Sequence, residues 1–406
     1  HVADQALLQE SDVTSASEAV APETDALVRE ASHIAEYLLQ RGIEDENSFS
    51  WIGLGANAAG QWDQVSLDAG LYDGGPGIAL FLLYLGYITD DSRLLEVADK
   101  IMRYACVEAS LEVVKNSKRL DDWVAMAPTA FTFPFASLYL SAHAYALGKR
   151  DGMDAVLDAS LLWGSEGLKR RPRSDFLNGA AGVVRVLLCA HRETGDVRAL
   201  DLARAYGDQI LAAAVPAGPG IGWYCDLYPN LLGGFSHGAS GIAWVLADLA
   251  QHTGDDRYLV GAQQALEFDR SLFSAESDEW FDRRGPVGAR GKAAQWCHGV
   301  AGIGLSRGLM WPLVRDERLR SDVDRAVDIV LNTDIRSDSL CHGTLGNIEC
   351  CMIATHAVGS DAWRSRIAGR VGAVWSAAHR RGRWETGVPH REVGAFGLFL
   401  GIAGGG

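Results

Sequence analysis

The feature that most constrains the fold is a glycine motif that recurs along the chain: Gly, two residues, Gly and then an apolar run. Clear copies lie at Leu71–Leu83, Asp175–Leu188, Gly234–Leu246, Trp296–Leu309, Leu340–Met352 and Gly397–Gly406. A degenerate copy is predicted at Phe131–Leu147, where Ser137 replaces the second glycine. The second glycine position thus recurs in steps of 44 to 61 residues. Such self-similarity is typical of folds built from repeated units.

Each step between motifs has room for two helices. The run after the glycines is apolar on all sides, which predicts a buried helix. Amphipathic stretches such as Arg93–Ala105 and Val197–Ala214 lie between the motifs, with their apolar residues along one helical stripe. Alternation typical of strands is scarce, with the stretch around Ile221–Tyr228 as the exception. We therefore predict an all-α fold, a double α/α barrel (toroid) of about seven inner and seven outer helices.

The composition argues against two classes of protein. The formal net charge is −15 and the short basic runs are flanked by acidic residues, whereas nucleic-acid binding needs a concentrated basic surface. No membrane span is predicted, because the most apolar run, Ile78–Tyr87, has about half of the ~20 residues that a span needs. Seven cysteines, an odd number, are thinly spread over 406 residues. They favour a reduced, cytoplasmic protein over a disulfide framework.

Polar residues stand directly before the first glycine of five motifs. They are Asp73, Asn178, His237, His298 and His342, and the last two follow Cys297 and Cys341. Equivalent turns of a ring point toward one axis, so these side chains are expected around one opening. Cysteine and histidine together are typical zinc ligands, and a catalytic zinc keeps three protein ligands and one open position. The spacing contains no zinc-finger pattern, which leaves inert buried thiols as the alternative.

His237 is the candidate acid or base of this group, because imidazole titrates near neutral pH. Asp175, in the third motif, would orient it or tune its charge. The alternative is a hydrogen-bonded histidine at a helix start with no chemical role. The residues also leave open which histidine binds the metal, since His298 adjoins Cys297 as His342 adjoins Cys341.

The segments "GFSHG", "WCHGVAGIG" and "LCHGTLGN", in this order, resemble the LanC-like cyclases of lanthipeptide biosynthesis. The resemblance runs over nearly the whole chain and implies a double ring of helices with a catalytic zinc at one end. It implies zinc ligation by Cys297, Cys341 and His342. It leaves His298 as a non-ligand near the metal, with Asp73 and Trp296 near the metal or the substrate. It also implies an acid or base role for His237 and a supporting catalytic role for Asp175.

The opening segment is most similar to the C-terminal cyclase domain of bifunctional class II lanthipeptide synthetases, in which a dehydratase precedes the cyclase. A class IV cyclase or a stand-alone class I cyclase is the alternative, whereas class III cyclase domains lack the zinc ligands. We predict one cyclase domain over residues 1–406, with residues 1–24 as linker or disordered segment. Because the chain starts at His1 and stops at "GIAGGG", where the family continues into a last inner helix, we expect a part of a longer polypeptide.

The resemblance implies a reaction in which a cysteine thiolate adds to dehydroalanine or dehydrobutyrine of the same peptide. The product is a lanthionine or methyllanthionine thioether ring. The expected partners are a dehydrated precursor peptide, made of leader and core, and a dehydratase that supplies it. One alternative is a LanC-like enzyme that adds glutathione to dehydroamino acids in proteins, and another is a ring that only binds peptides. A toroidal glycoside hydrolase is disfavoured, because such enzymes use paired carboxylates.

Overall fold

The computed structural model describes residues 20–56, 62–115, 128–149, 151–286, 292–388 and 394–406. Its helices are α1 (Thr24–Leu39), α2 (Gly75–Thr89), α3 (Ser92–Lys115), α4 (Phe135–Ala146), α5 (Met153–Leu168), α6 (Ala180–Thr194), α7 (Val197–Ala212), α8 (Ala239–Thr253), α9 (Asp256–Arg270), α10 (Val300–Val314), α11 (Glu317–Leu331), α12 (Thr344–Val358) and α13 (Arg364–Arg381). A 3₁₀ helix spans Ile402–Gly405. The predicted all-α fold class is confirmed.

The strands of the described residues are short and form two-stranded antiparallel pairs. They are β1 (Ile43–Glu44) with β2 (Phe49–Ser50), β3 (Ile52–Ala56) with β4 (Trp62–Ser66), β5 (Val215–Ala217) with β6 (Gly220–Gly222), and β7 (Phe273–Ser274) with β8 (Glu279–Trp280). Of the stretch expected to be a strand around Ile221–Tyr228, only the first two residues belong to one. The rest runs irregularly into the site described below.

The chain divides into two compact units. The first unit comprises residues 22–170, 186–202 and 384–406, and the second comprises residues 171–185 and 203–383. The division falls inside α6 and α7. Most of the residues expected to be linker or disordered, 1–19, lie outside the described part of the chain, and α1 begins at Thr24.

In the second unit the motif helices form an inner layer. α8 contacts α10, and α10 contacts α12, while each packs against the helix that follows it, α9, α11 and α13 respectively. Eleven of the 15 residues of α10 are buried, against six of the 15 residues of α11. The difference matches the sequence, because α10 is apolar on all sides whereas α11 alternates charged and apolar residues. The prediction of buried motif helices and amphipathic partners is confirmed here.

The first unit repeats this arrangement. α2 contacts α4, α2 packs against α3, and α4 packs against α5. Its core is built from side chains such as Leu82, Leu83 and Leu140, which are almost fully inaccessible to solvent. Trp51 joins this core and donates a hydrogen bond from Nε1 to the carbonyl oxygen of Leu38 at 2.9 Å. None of the helices among the described residues has the length and apolar character needed to cross a lipid bilayer.

The motifs require glycine because a side chain would not fit at these positions. The second glycine of four motifs packs against the carbonyl oxygen six residues earlier, so that an added Cβ would overlap that oxygen: Gly77 on Leu71, Gly241 on Phe235, Gly302 on Trp296 and Gly346 on Leu340. The first glycine caps the helix, and Gly299 does so with a φ of 142° that side chains rarely adopt. Each motif is therefore a tight turn folded back on the start of its own helix.

A buried ion-pair network fixes the turn before α8. Arg307 of α10 is fully buried, pairs with the equally buried carboxylate of Asp269 of α9, and donates to Ser240 Oγ at 2.9 Å. A second carboxylate, of Asp322, lies 3.4 Å from Arg307 Nε. The other oxygen of Asp269 accepts the backbone N–H of Gly234 at 3.0 Å. The network thus joins four helices, α8 to α11, to the turn that carries His237.

Candidate active site

The third to sixth motif turns are tied to one another by backbone hydrogen bonds. The N–H groups of Phe176 and Leu177 donate to the carbonyl oxygen of Ser236 at 3.0 and 2.9 Å. The N–H of Ser236 donates to Cys297 O at 3.2 Å, and the N–H of Cys297 donates to Cys341 O at 3.3 Å. These bonds lie within the second unit. They place the residues that the sequence singles out in the third to sixth turns side by side.

His237 and Asp175 form a buried pair. His237 Nδ1 lies 3.2 Å from Asp175 Oδ2, and the two side chains are only 5% and 4% exposed. Asp175 Oδ1 accepts the backbone N–H of Asn178 at 2.6 Å, which fixes the carboxylate. The thiol of Cys225 donates to Asp175 Oδ2 at 3.8 Å. The orienting contact expected between Asp175 and His237 is therefore present, with Cys225 as a third member.

This environment keeps His237 protonated. Burial lowers its pKa, but the hydrogen bonds and charges of Asp175 and Cys225 outweigh burial and raise the pKa to about 9. A histidine with this pKa carries its proton at neutral pH. It can therefore act as a proton donor without first taking a proton from solvent.

His298 lies close to His237, but its surroundings lower its pKa, whereas those of His237 raise it. The two rings stack with centroids 5.1 Å apart and planes at 27°, and Tyr228 lies edge-on to His298 at 5.6 Å. Burial and the positive charges of Arg284, His237 and His342 lower the pKa of His298 to about 2. His298 is thus a neutral imidazole.

The thiols of Cys297 and Cys341 meet in the same region. A hydrogen bond from the Cys341 side chain lowers the pKa of Cys297, and Arg284 acts in the same direction against the effect of burial. By contrast, burial raises the pKa of Cys351 to about 12 and that of Cys350 well above its usual value. No disulfide bond joins any of the seven cysteines, all of which lie in the described part of the chain. Cys297 therefore differs from inert core thiols, because its surroundings favour the thiolate that binds metals and reacts.

The remaining predicted residues lie as follows. His342 contributes to the field at His298, as stated above, and stands directly before the cap of α12. Trp296 is buried, with its ring 5.8 Å from that of Phe235. Asp73 belongs to the first unit, where burial raises its pKa to about 7 although it accepts a backbone hydrogen bond from Leu400. Its predicted role near the metal or the substrate stays a prediction.

The structure groups one set of metal-competent donors that the sequence does not suggest. Ligand atoms of Asp175, Cys225 and His237 lie within 4.8 Å of one another. Of the predicted zinc ligands, the contacts described above join Cys297 to Cys341, and the full set with His342 stays a prediction. Cys225 and Tyr228 escape sequence reasoning because they lie in an irregular segment outside the glycine repeats.

A small cleft lies in this region, beside His298. Its lining includes His298, Arg283, Arg284, Asp282, Trp280 and Gly234. Arg284 is paired with Asp282 at 2.8 Å, so its guanidinium is held in place beside the cleft.

Comparisons with known proteins agree with this architecture. The family model described as "Lanthionine synthetase C-like protein" matches residues 65–406. The solved structure of nisin cyclase is similar with a TM-score of 0.63 and 15% identity, covering 94% of this chain and 92% of that one. This likeness shows the fold. No significant match to a curated protein sequence was found.

More distant likenesses are to sugar enzymes. A D-mannose isomerase is similar with a TM-score of 0.45 and 11% identity, covering 77% of this chain and 88% of that chain. An unsaturated glucuronyl hydrolase specific for heparin has a TM-score of 0.41 and 14% identity, covering 89% and 99%. These values are too low to support a functional argument.

Proposed function

The chain belongs to the lanthionine synthetase C-like proteins, and from this membership we propose that it is a zinc-dependent lanthipeptide cyclase. Its substrate would be a dehydrated precursor peptide, with leader and core, supplied by a dehydratase domain or protein. The observation that carries the proposal is the pairing of His237 with Asp175 beside the linked turns of Cys297 and Cys341. The lack of disulfide bonds among the described cysteines supports a reducing, cytoplasmic location.

Cys297, Cys341 and His342 would hold the zinc ion. The contact between the two thiols and the lowered pKa of Cys297 support this set, because thiolates bind metals and thiols do not. Bound zinc would supply a Lewis acid that lowers the pKa of the substrate's cysteine thiol. The low pKa of His298 supports its role as a neutral neighbour of the metal, open to contact with the substrate.

The chain's own acid would complete the reaction. The sulfur of the substrate's thiolate forms a bond to the β-carbon of the dehydroamino acid, and the π electron pair shifts to the α-carbon and its carbonyl group. The α-carbon then accepts a proton. His237 would donate it from Nε2, because Nδ1 is held by Asp175 and the pKa of about 9 keeps the ring protonated. The thiol's proton would pass to solvent and His237 would take a proton back from solvent, so the product is a thioether and the peptide's mass does not change.

The test is incubation of the protein with zinc and a dehydrated, cysteine-containing precursor peptide. Free thiols are then counted by alkylation and mass spectrometry. We expect thiols to disappear with no change in peptide mass, and Cys341→Ala to lose both bound zinc and cyclisation. Full zinc content and full cyclisation in Cys341→Ala would overturn the assignment. A mass increase only when glutathione is added would instead support a glutathione-adding enzyme.

A further inference from the structure

Asp175, Cys225 and His237 form a compact donor cluster. The Oδ2 atom of Asp175 lies 3.2 Å from Nδ1 of His237 and 3.8 Å from Sγ of Cys225. All three side chains are buried, with at most 5% of each residue exposed. The three residues come from separate segments, the third motif turn, the stretch after β6 and the fourth motif turn. The fold itself therefore brings them together.

These separations match those between ligands of a tetrahedral zinc ion. Bonds of about 2.0 Å to oxygen and nitrogen and about 2.3 Å to sulfur put oxygen and nitrogen ~3.3 Å apart, and oxygen and sulfur ~3.5 Å apart. The observed 3.2 and 3.8 Å lie close to both values. The remaining separation, between the ligand atoms of His237 and Cys225, is at most 4.8 Å, so the three donors can close around a divalent ion.

The charges of the cluster also suit a divalent cation. A carboxylate, a thiolate and a neutral imidazole carry two negative charges, so bound Zn²⁺ would leave no net charge in this buried place. Carboxylate, thiolate and imidazole are each established zinc ligands. Without metal, the hydrogen bonds among the three side chains satisfy the same atoms with protons. The cluster can thus exchange protons for one metal ion.

We propose that Asp175, Cys225 and His237 form a second zinc site, distinct from Cys297, Cys341 and His342, and that zinc bound there inhibits the enzyme. Occupation would take Nδ1 of His237 away from Asp175 and leave a neutral, metal-bound ring. Such a ring is a weaker acid than imidazolium, so it no longer supplies the proton. The inhibition rests on the proposed function, whereas the metal site does not.

Cobalt titration of the full chain tests the site directly. Co²⁺–thiolate absorption scales with the number of Co–S bonds, so the predicted zinc set gives a two-thiolate signal and the second site adds a one-thiolate signal. We expect two bound equivalents in the unchanged protein and one in Cys225→Ser, which removes the thiolate with little change in side-chain volume. The matched control Cys189→Ala removes a buried thiol of α6 and should still bind two.

Two results would overturn the site. One is saturation of the unchanged protein at a single equivalent with the two-thiolate signal, and the other is a one-thiolate signal that persists in Cys225→Ser. If Cys225→Ser misfolds, judged by circular dichroism, Cys225→Ala replaces it in the same comparison. None of these readouts depends on cyclisation.

Zinc titration of cyclisation tests the inhibition. Rates are normalised to each protein's own maximum. As the second site fills, the rate of the unchanged protein should fall by about a hundredfold or more, because a general acid contributes that much to the rate. Cys225→Ser should instead stay at its plateau over the same zinc range. A rate of the unchanged protein that stays flat while the second equivalent binds would overturn the inhibitory role. Absence of cyclisation at every zinc concentration would contradict the proposed function and leave the cobalt result standing.

Discussion

The carboxylate of Asp175 lies 3.2 Å from Nδ1 of His237, and both side chains are shielded from solvent. Burial alone would make His237 neutral, so its charge depends on this contact and on Cys225. Removing the negative charge of Asp175 leaves burial as the stronger effect. The pH at which the enzyme works is thus expected to depend on one carboxylate.

Asp175→Asn should shift the alkaline limb of the pH–rate profile to lower pH. The folded protein's His237 has a pKa raised to about 9, so the acid is present below that pH and lost as pH rises through it. The variant should lose the proton earlier, with a rate near neutral pH about a hundredfold lower. Single-turnover rates across pH measure this. The control is Asp226→Asn, which changes an exposed carboxylate paired with Arg173 and should keep the alkaline limb near pH 9. An alkaline limb of Asp175→Asn at the same pH would contradict the prediction.

Substitutions of His298 and His342, the histidines of the two Cys-His-Gly triplets, should differ in their effect on zinc binding. His342→Ala should lose tightly bound zinc, weakening affinity by more than the about 10–100-fold that the loss of an outer-shell partner costs. His298→Ala should retain its zinc, because the proposed set does not include that ring. Metal analysis of both variants after desalting measures the bound zinc, and each variant is the matched control for the other. Equal zinc loss in the two variants, or loss in His298→Ala alone, would reassign the ligand.

Asp269→Asn should destabilise the second unit. It leaves the guanidinium of Arg307 buried with only the more distant Asp322 as a charged partner, and breaking a buried pair costs about 3–5 kcal/mol. The free energy of unfolding from denaturant titration measures this loss. Arg364→Ala removes an ion pair in which both side chains are more than 80% exposed, and it should cost less than about 1 kcal/mol. Similar losses in the two variants would argue against a structural role for the buried network.

Gly77→Ala and Gly75→Ala should differ although they lie two residues apart in α2. A Cβ at Gly77 overlaps the carbonyl oxygen of Leu71, whereas a Cβ at Gly75 meets its nearest neighbour, Ile101, at an ordinary 3.6 Å. We expect Gly77→Ala to cost about 1–3 kcal/mol, as overpacking does. Gly75→Ala should be neutral or slightly stabilising, because alanine is the better helix former. Thermal unfolding of the pair decides, and equal melting temperatures would show that the turn relaxes at no cost.

Much of the helical architecture can be predicted because the turns leave a mark in the sequence. The second glycine of four motifs is required by a backbone oxygen that is local in the chain, so the pattern survives without knowledge of distant contacts. The second copy, with Ser137 in place of glycine, still forms α4 as predicted. The copy at the end of the chain forms only the 3₁₀ helix Ile402–Gly405.

The parts of the site that cannot be predicted depend on contacts between distant segments. Cys225 and Asp175 are 50 residues apart in the chain, and nothing in the stretch around Cys225 repeats elsewhere. Arg307 stands in an apolar helix, and its charge there is explained by its partner Asp269. That residue lies 38 positions earlier, in the preceding outer helix, α9. Packing creates such pairs, and a local pattern carries no record of them.

The third to sixth turns are linked by hydrogen bonds between main-chain atoms, to which the hydroxyl of Ser236 adds a bond to Cys297 O at 2.7 Å. A substitution in one of these turns changes a side chain and removes none of the main-chain links, provided that the glycines stay. Position and chemistry are therefore separable: the backbone fixes where each group stands, and one residue per turn decides what that group is. The same scaffold could exchange a thiol for an imidazole or a carboxylate, turn by turn, and so serve as a starting point for new catalysts.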